Sequence, residues 1–274
     1  MAFSTGVSLL PVGGSLPLKD SIRTFLQMSS GTNYTNQVTG VTATSVSGGV
    51  NSQTTTGQLN SNLGSYHLFN HSGNAGTSTV RTILNSQVTP ELSGNVSNDI
   101  SVCFWLKGDT DGGFGASLDG GNGSGGSGNR FMLFGTGSSL IGGDIYNCNG
   151  VGVRNVNVIV LYRDSASTLT TTWTTTSTWR FYVFNFQYNP GSLNYTVTCY
   201  INGVLQANSY NIGRFDVADG WVFDTGLFAA ANSVDFQNNC GMDNLSIQKR
   251  QLSQAEIDHL YNSGNGRNYS DITM

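Results

Sequence analysis

Residues 241–264, GMDNLSIQKRQLSQAEIDHLYNSG, decide the fold, because they predict a strand that leads through a polar turn into one short helix. In the first part, Asp243, Leu245 and Ile247 alternate with Met242 and other more exposed types. Alternate residues of a strand point to the same side, so these three positions are expected on one face. The stretch therefore begins as a half-buried strand.

The second part of the stretch predicts a capped helix with one apolar side. Ser253-Gln-Ala-Glu256 has the spacing of a capping box, in which serine and glutamate satisfy the first free amides of a helix. Gly264 is expected to end the helix. The apolar positions recur at i, i+3 and i+4, as Ile257, Leu260 and Tyr261. Such a helix needs a surface to dock on, and the preceding strand indicates a β-sheet.

Short strands separated by turns are predicted for the rest of the chain. The clearest is 99–107 (DISVCFWLK), and WRFYVFNF within 179–187 is apolar on both sides, as expected of a central strand covered on both faces. Asn202-Gly203 is typical of a two-residue hairpin turn. The remaining predicted strands are 21–28, 65–69, 78–84, 130–134, 151–162, 194–201 and 221–228.

These elements predict an all-β protein, a two-sheet antiparallel sandwich with one short C-terminal helix. No linker divides residues 20–265, which are expected to form one domain. Residues 1–19 are expected to be an N-terminal arm, apolar but interrupted by Gly and Pro, and 266–274 a C-terminal tail. The arm is either a loose tail or an anchor to a neighbouring subunit.

The order of these motifs resembles the laminin-G-like, concanavalin A-like jelly-roll family. The resemblance rests on Trp179 in its strand, on YING at 200–203, on Gly241-Met-Asp243, and on the LSQAEIDHLY helix at 252–261. It implies two curved antiparallel sheets over residues 20–264. Proteins of this kind include glycan-binding modules, adhesion modules, enzymes and structural parts of virions, so the fold alone does not give the function.

Composition disfavours two kinds of partner. Only 10% of the residues are charged and the net charge is −4, which disfavours nucleic acid or an anionic membrane as the main partner. There is no apolar run long enough to span a membrane, and the first 20 residues do not have the pattern of a signal peptide. Cys103, Cys148, Cys199 and Cys240 lack the spacing of a zinc site, and whether they form disulfides stays open.

The sequence does not predict an enzyme. Retaining glycoside hydrolysis needs a pair of carboxyl groups about 5–5.5 Å apart, and hydrolases of the resembled family carry them on a Glu-x-Asp-x-x-Glu strand. The only glutamates here are Glu91, in a predicted turn, and Glu256, explained by helix capping. His67, His71 and His259 do not have the spacing of metal ligands.

Asp243 is the candidate metal ligand. An inward-pointing carboxylate is costly unless it is paired or bound to a metal. The family resemblance implies a structural Ca²⁺ at this aspartate, together with backbone carbonyls near the N-terminal strand, and hard oxygen ligands suit Ca²⁺. The alternative is an aspartate satisfied by an arginine or by backbone amides of the turn.

Four aromatic residues are candidates for glycan stacking: Trp105, Tyr182, Phe184 and Tyr200. They share strand faces with polar neighbours, but the same pattern is expected of an inner sandwich layer or a subunit contact. The sequence therefore favours a non-enzymatic virion surface protein, of the head-decoration or tail-fibre type, whose partners are other virion proteins or identical subunits, reached through residues 1–18, and cell-surface glycans. The alternatives are a secreted carbohydrate-binding module and an enzyme with an unrecognised site.

Overall fold

The structure is a computed structural model, and it describes a defined part of the chain. Arm residues before 16, the Gly-rich segment 108–129, and the side chains of His71, Glu91 and Cys148 lie outside the described residues. The described residues are 16–27, 33–47, 51–56, 65–70, 80–84, 98–107, 130–136, 139–141, 144–146, 149–154, 158–163, 167–174, 176, 178–213, 221–224 and 240–274.

The described chain is almost entirely β-structure. The strands are β1 (Ile22–Leu26), β2 (Asn33–Thr35), β3 (Thr42–Ser47), β4 (Asn51–Thr56), β5 (Ser65–Asn70), β6 (Val80–Leu84), β7 (Ile100–Lys107), β8 (Arg130–Thr136), β9 (Ser139–Ile141), β10 (Asp144–Tyr146), β11 (Asn149–Arg154), β12 (Val158–Arg163), β13 (Ser167–Thr174), β14 (Arg180–Asn189), β15 (Asn194–Ile201), β16 (Val204–Leu205), β17 (Tyr210–Gly213), β18 (Trp221–Asp224) and β19 (Cys240–Gln248). The helices are α1 (Leu18–Ser21), a single turn, and α2 (Gln254–Tyr261), with 3₁₀ turns at Asn262–Gly264 and Tyr269–Asp271.

Within the described residues the strands form two large antiparallel sheets and a separate β9–β10 pair. The first sheet has nine strands, in the order β16-β15-β14-β7-β19-β5-β4, with β1 added beside β19 and β17 beside β15. The second has eight, in the order β13-β12-β11-β8-β18-β6-β3-β2. Sequence neighbours are often not sheet neighbours, as in a jelly roll. The predicted all-β sandwich is confirmed.

One face of the nine-stranded sheet, its inner face, packs against the eight-stranded sheet. Phe104 and Phe184 stack on it with ring centroids 5.9 Å apart, and Trp173 of β13 reaches Phe184 at 6.0 Å. The Tyr182 hydroxyl donates to the Thr174 carbonyl at 3.1 Å, which joins the sheets directly. This layer is the main core of the sandwich.

The opposite side, the outer face, is covered at one end by α2. Ile257 and Leu260 of the helix join a buried cluster with Trp105, Phe181 and Val183 of the sheet. Strand β14 therefore packs on both sides, as its apolar pattern predicted. The capping box is present, and the Ser253 amide donates to Glu256 Oε2 at 2.9 Å.

Residues 16–19 and the C-terminal tail contribute to the covered part of the outer face. Leu18 and Ile272 are buried in the cluster with α2. The Lys19 amide donates to the Met274 carbonyl at 2.9 Å, and Arg250 donates to the Leu16 carbonyl at 2.9 Å. Residues 16–19 of the arm and the tail 266–274 thus pack with the sandwich.

Two sequence predictions about element limits are wrong. The single strand expected over 151–162 is two strands, β11 and β12, which pair as a hairpin. The helix ends at Tyr261, earlier than a stop at Gly264 requires, because Asn262 takes the left-handed conformation at φ 50° and asparagine tolerates it. The Asn202-Gly203 turn is confirmed, with φ 52° and 79° as a type I′ hairpin requires.

Candidate functional site

A β-bulge places Asp243 on the outer face, away from the side that alternation predicted. The β7–β19 register pairs Asp243 with Trp105 but Ser246 with Cys103, so β19 carries one extra residue. Asn244, at φ 45°, forms the irregularity. Leu245 and Ile247 therefore lie on the inner face and Asp243 on the outer one, since one inserted residue reverses the alternation.

The carboxylate of Asp243 lies at the bulge and is fully buried. Its Oδ1 accepts the Asn244 amide at 2.7 Å, which is the backbone-amide alternative of the sequence analysis. Ca²⁺ takes six to eight oxygen ligands, which include carboxylates and backbone carbonyls. In the described part of the chain, no three His, Cys, Asp or Glu side chains come together at a metal site. The arrangement that the family resemblance implies, one carboxylate with backbone carbonyls, stays a prediction.

Three of the four aromatic candidates lie inside the protein. Tyr182 and Phe184 belong to the inner core at 0% exposure, and Trp105 packs under α2 at 3%. Tyr200 is half-buried on the outer face, against the α2 cluster. A sugar stacks on an open ring face, which the three buried rings do not offer, because they form the layers between the sheets and beneath the helix.

The uncovered end of the outer face begins beyond Asn185. Asn185 Nδ2 donates to the Leu252 carbonyl at 2.9 Å, and the Leu252 amide donates back to Asn185 Oδ1 at 3.2 Å. Ser101, the β7 partner of Asn185, donates to the Arg250 carbonyl at 2.8 Å. The turn before α2 is thereby fixed across the sheet, and the strands β14, β15 and β17 continue past it.

Five uncharged polar side chains occupy this continuation, which we call the amide face. In the register, Gln187 pairs with Thr196, and Thr196 pairs with Asn211. Asn189 pairs with Asn194 in the next row. Directly opposed residues share a face of a sheet. Gln187 and Asn211 are exposed, and the other three are half-buried.

Hydrogen bonds within the amide face set the direction of its amides. Asn189 Nδ2 donates to Asn194 Oδ1 at 3.0 Å and to Thr196 Oγ1 at 2.9 Å. Thr196 Oγ1 donates in turn to Asn211 Oδ1 at 2.9 Å, and Ser192 donates to Asn194 Oδ1 at 2.8 Å. The carbonyl oxygens of Asn194 and Asn211 are thus engaged. Within the described part of the chain, each of these two side chains keeps its amino group for another acceptor.

The border of the amide face carries one carboxylate. Asp99 accepts the Tyr188 amide at 2.8 Å and Gln251 Nε2 at 2.9 Å. At the hairpin tip, Leu193 is 54% exposed and has φ 52°, which is uncommon for a branched apolar residue. The site therefore combines neutral hydrogen-bonding groups with an exposed apolar residue and a nearby negative charge.

Sequence reasoning missed the amide face. Its signal was present in β15, where Asn194, Thr196 and Thr198 alternate with buried Tyr195 and Val197. That alternation indicates that one side of β15 is polar, but it does not show which strands pair with β15. The pairing of β15 with β17 places Asn211 beside Thr196, and this register cannot be predicted from the sequence.

The thiols Cys103 and Cys199 are free and buried. Burial raises the pKa of Cys103 to about 12 and also raises that of Cys199, so neither is a reactive thiolate at neutral pH. The side chains of Cys148 and Cys240 lie outside the described set. Among the helices that the structure describes, none is long and apolar enough to cross a membrane.

Solved structures with a similar fold include the receptor-binding domains of bacterial neurotoxins. No family model and no curated protein matches the sequence. The receptor-binding domain of botulinum neurotoxin C/D mosaic serotype has a TM-score of 0.56 and 16% identity, covering 89% of this chain and 52% of that one. The binding domain of Paraclostridial Mosquitocidal Protein 1 has a TM-score of 0.55 and 14% identity, with 89% and 52% covered.

A third similar structure contains a bound sugar. The ligand-binding domain of botulinum neurotoxin serotype D, in complex with N-acetylneuraminic acid, has a TM-score of 0.54 and 18% identity, covering 89% of this chain and 51% of that chain. This chain spans about half the length of the structures it matches. At such low identity the likeness shows the fold, a lectin-like β-sandwich, and the function has to be argued separately.

Proposed function

We propose that this protein is a non-enzymatic adhesion module that binds glycans. The observation that carries the proposal is the likeness of fold across nearly the whole chain to receptor-binding domains. One similar structure holds N-acetylneuraminic acid, and another belongs to botulinum neurotoxin type C, which depends on two ganglioside molecules to enter cells. Those properties are stated for the neurotoxins, and they motivate a glycan of some kind as the ligand here.

The chemistry of the described surface supports a binding role. Catalytic hydrolysis of a glycosidic bond needs two carboxyl groups in one site. Glu256 is engaged by Arg250 and by the helix cap, and Asp243 is buried at the bulge. The amide face offers uncharged donors and acceptors, which suit reversible binding of hydroxyl groups.

A glycan array tests the proposal. The purified chain, labelled at a site away from the amide face, is applied to printed oligosaccharides, and each signal is challenged with the free sugar. We expect saturable binding that the free sugar abolishes. An array without hits at high micromolar protein would remove the glycan-binding function.

The finer proposal is that the module is displayed on a virion, as a head-decoration or tail-fibre subunit. Its support is the low charge and the Gly-, Ser- and Thr-rich composition together with an apolar segment before residue 16 that could contact a neighbour. Assignment to the laminin-G-like group and a structural Ca²⁺ are likewise proposals. Mass spectrometry of purified particles tests the virion role: a fixed copy number per particle supports it, and absence from particles rejects it.

A further inference from the structure

We propose that the amide face, formed by Gln187, Asn189, Asn194, Thr196 and Asn211, is the glycan-contact surface, and that it takes a neutral, hydroxyl-rich saccharide. The inference rests on the proposed function and adds the location and the chemical class of the ligand. It depends on three observations: the fixed direction of the amides, the presence of both donors and acceptors, and the charge at the border.

The first observation is that the donors are held in place before a ligand arrives. Asn194 and Asn211 each have their carbonyl oxygen bonded within the face. Among the described residues, no group accepts a hydrogen bond from either amino group. A donor held in its bound direction loses little conformational entropy on binding, so it contributes more to affinity than a freely rotating one.

The second observation is that donors and acceptors alternate over a short distance. Vicinal hydroxyls of a sugar both donate and accept, so they need both kinds of partner. Asn189 uses its amino group internally and keeps its carbonyl oxygen as an acceptor. Gln187 is exposed on the same row as Thr196 and supplies both groups. The face therefore matches the hydrogen-bonding pattern of a hydroxyl-rich sugar ring.

The third observation decides the charge of the ligand. None of the five side chains of the amide face is cationic, and the Asp99 carboxylate lies at its border, bonded to Tyr188 between two strand residues of the face. A carboxylate on the ligand would meet repulsion from Asp99 without a guanidinium or ammonium of the face to balance it. Neutral saccharides are thus preferred over sialylated ones.

The test compares four proteins: the wild type, Asn211→Ala, Gln187→Ala and the control Thr172→Val. Thr172 is exposed on β13 of the other sheet. Each is screened on an array of matched neutral and sialylated oligosaccharides, and the strongest neutral hit is titrated by calorimetry. We expect neutral hits, about tenfold weaker binding for Asn211→Ala and Gln187→Ala, and wild-type affinity for the control.

Thermal unfolding of each variant separates lost binding from lost folding. Both face residues are exposed, so their substitution is expected to leave the melting temperature nearly unchanged. If the wild type binds a neutral sugar and both face variants bind it equally well, the location is wrong while the glycan-binding function stands. If the wild type binds only sialylated sugars, the ligand class is wrong. If it binds none, the proposed function itself fails.

Discussion

Asn185 and Leu252 bond to each other reciprocally, with the side-chain amide donating to the carbonyl at 2.9 Å and accepting the backbone amide at 3.2 Å. This pair lies where the outer face changes from covered to open. On one side α2, residues 16–19 and the C-terminal tail cover the sheet, and on the other side the amide face begins. The helix thus does not extend over the proposed binding surface, because its leading turn is held at Asn185.

Substitution of Asn185 by alanine tests this anchor. The change removes the buried donor to the Leu252 carbonyl, while the Leu252 amide keeps its bond to Ser101 Oγ at 3.1 Å, so we expect a loss of about 1–3 kcal/mol in the free energy of unfolding. Urea denaturation measures it, with the exposed neighbour Gln187→Ala as control, expected within about 0.5 kcal/mol of wild type. Equal stability of the two variants would show that the turn is held elsewhere.

Acid unfolding is expected to depend on Glu256. Burial alone would raise the pKa of this carboxyl, but hydrogen bonds from Arg250 and Ser253 lower it to about 2, from an ordinary value of 4.5. The unfolded chain then binds the proton more tightly than the folded one. The contribution of Glu256 to stability is therefore complete above pH 4.5 and is lost as the pH falls toward 2.

Glu256→Gln isolates this effect, because glutamine keeps the bond to the helix cap but loses the charge. We expect a lower melting temperature at pH 7 and a shallower fall between pH 4.5 and 2 than in the wild type. Melting temperatures measured across that range for both proteins test whether the charge of Glu256 stabilises the fold. Parallel curves would mean that the Arg250–Glu256 pair does not contribute.

The role of Asp243 is tested by metal removal. The proposed Ca²⁺ at this buried carboxylate predicts that EDTA lowers the melting temperature and that millimolar Ca²⁺ restores it. Ca²⁺ at 100 times its dissociation constant would add about 2.7 kcal/mol of stability, and an unchanged melting temperature would reject the metal. A rise with Ca²⁺ that Asp243→Asn abolishes would establish the metal site that the family resemblance implies.

Phe184 distinguishes the inner core from a sugar-stacking surface. Its ring is fully buried among Phe104, Tyr182 and Trp173. We expect Phe184→Ala to cost about 3–5 kcal/mol in unfolding free energy, as large-to-small core substitutions do. Stability close to that of the wild type would indicate a surface ring and return Phe184 to the list of glycan contacts.

Much of the fold was predictable because local alternation and turn chemistry agree with the tertiary structure. Strand β15 has the predicted limits, Asn194–Ile201, and the Asn202-Gly203 turn follows it as predicted. The packing of β14 on both faces was also predictable, since its apolar residues occupy odd and even positions alike. The capping of α2 by Ser253 and Glu256 was predicted as well and is present.

The site was less predictable, for two physical reasons. A single extra residue at Asn244 reverses the faces that the following residues of β19 occupy, and nothing in the local alternation marks it beforehand. The amide face depends on cross-strand register, above all on the pairing of Thr196 with Asn211. Aromatic residues were expected to bind sugar, but burial of their large apolar surface placed three of them inside.

The most direct measurement of the central claim is a titration followed by the side-chain NH₂ resonances of Asn194 and Asn211 in ¹⁵N-labelled protein. The titrant is the neutral oligosaccharide that gives the strongest array signal. We predict that these two NH₂ signals shift and saturate together with the backbone amides of β15 and β17. Saturating shifts elsewhere, with both NH₂ signals unmoved, would contradict binding at the amide face.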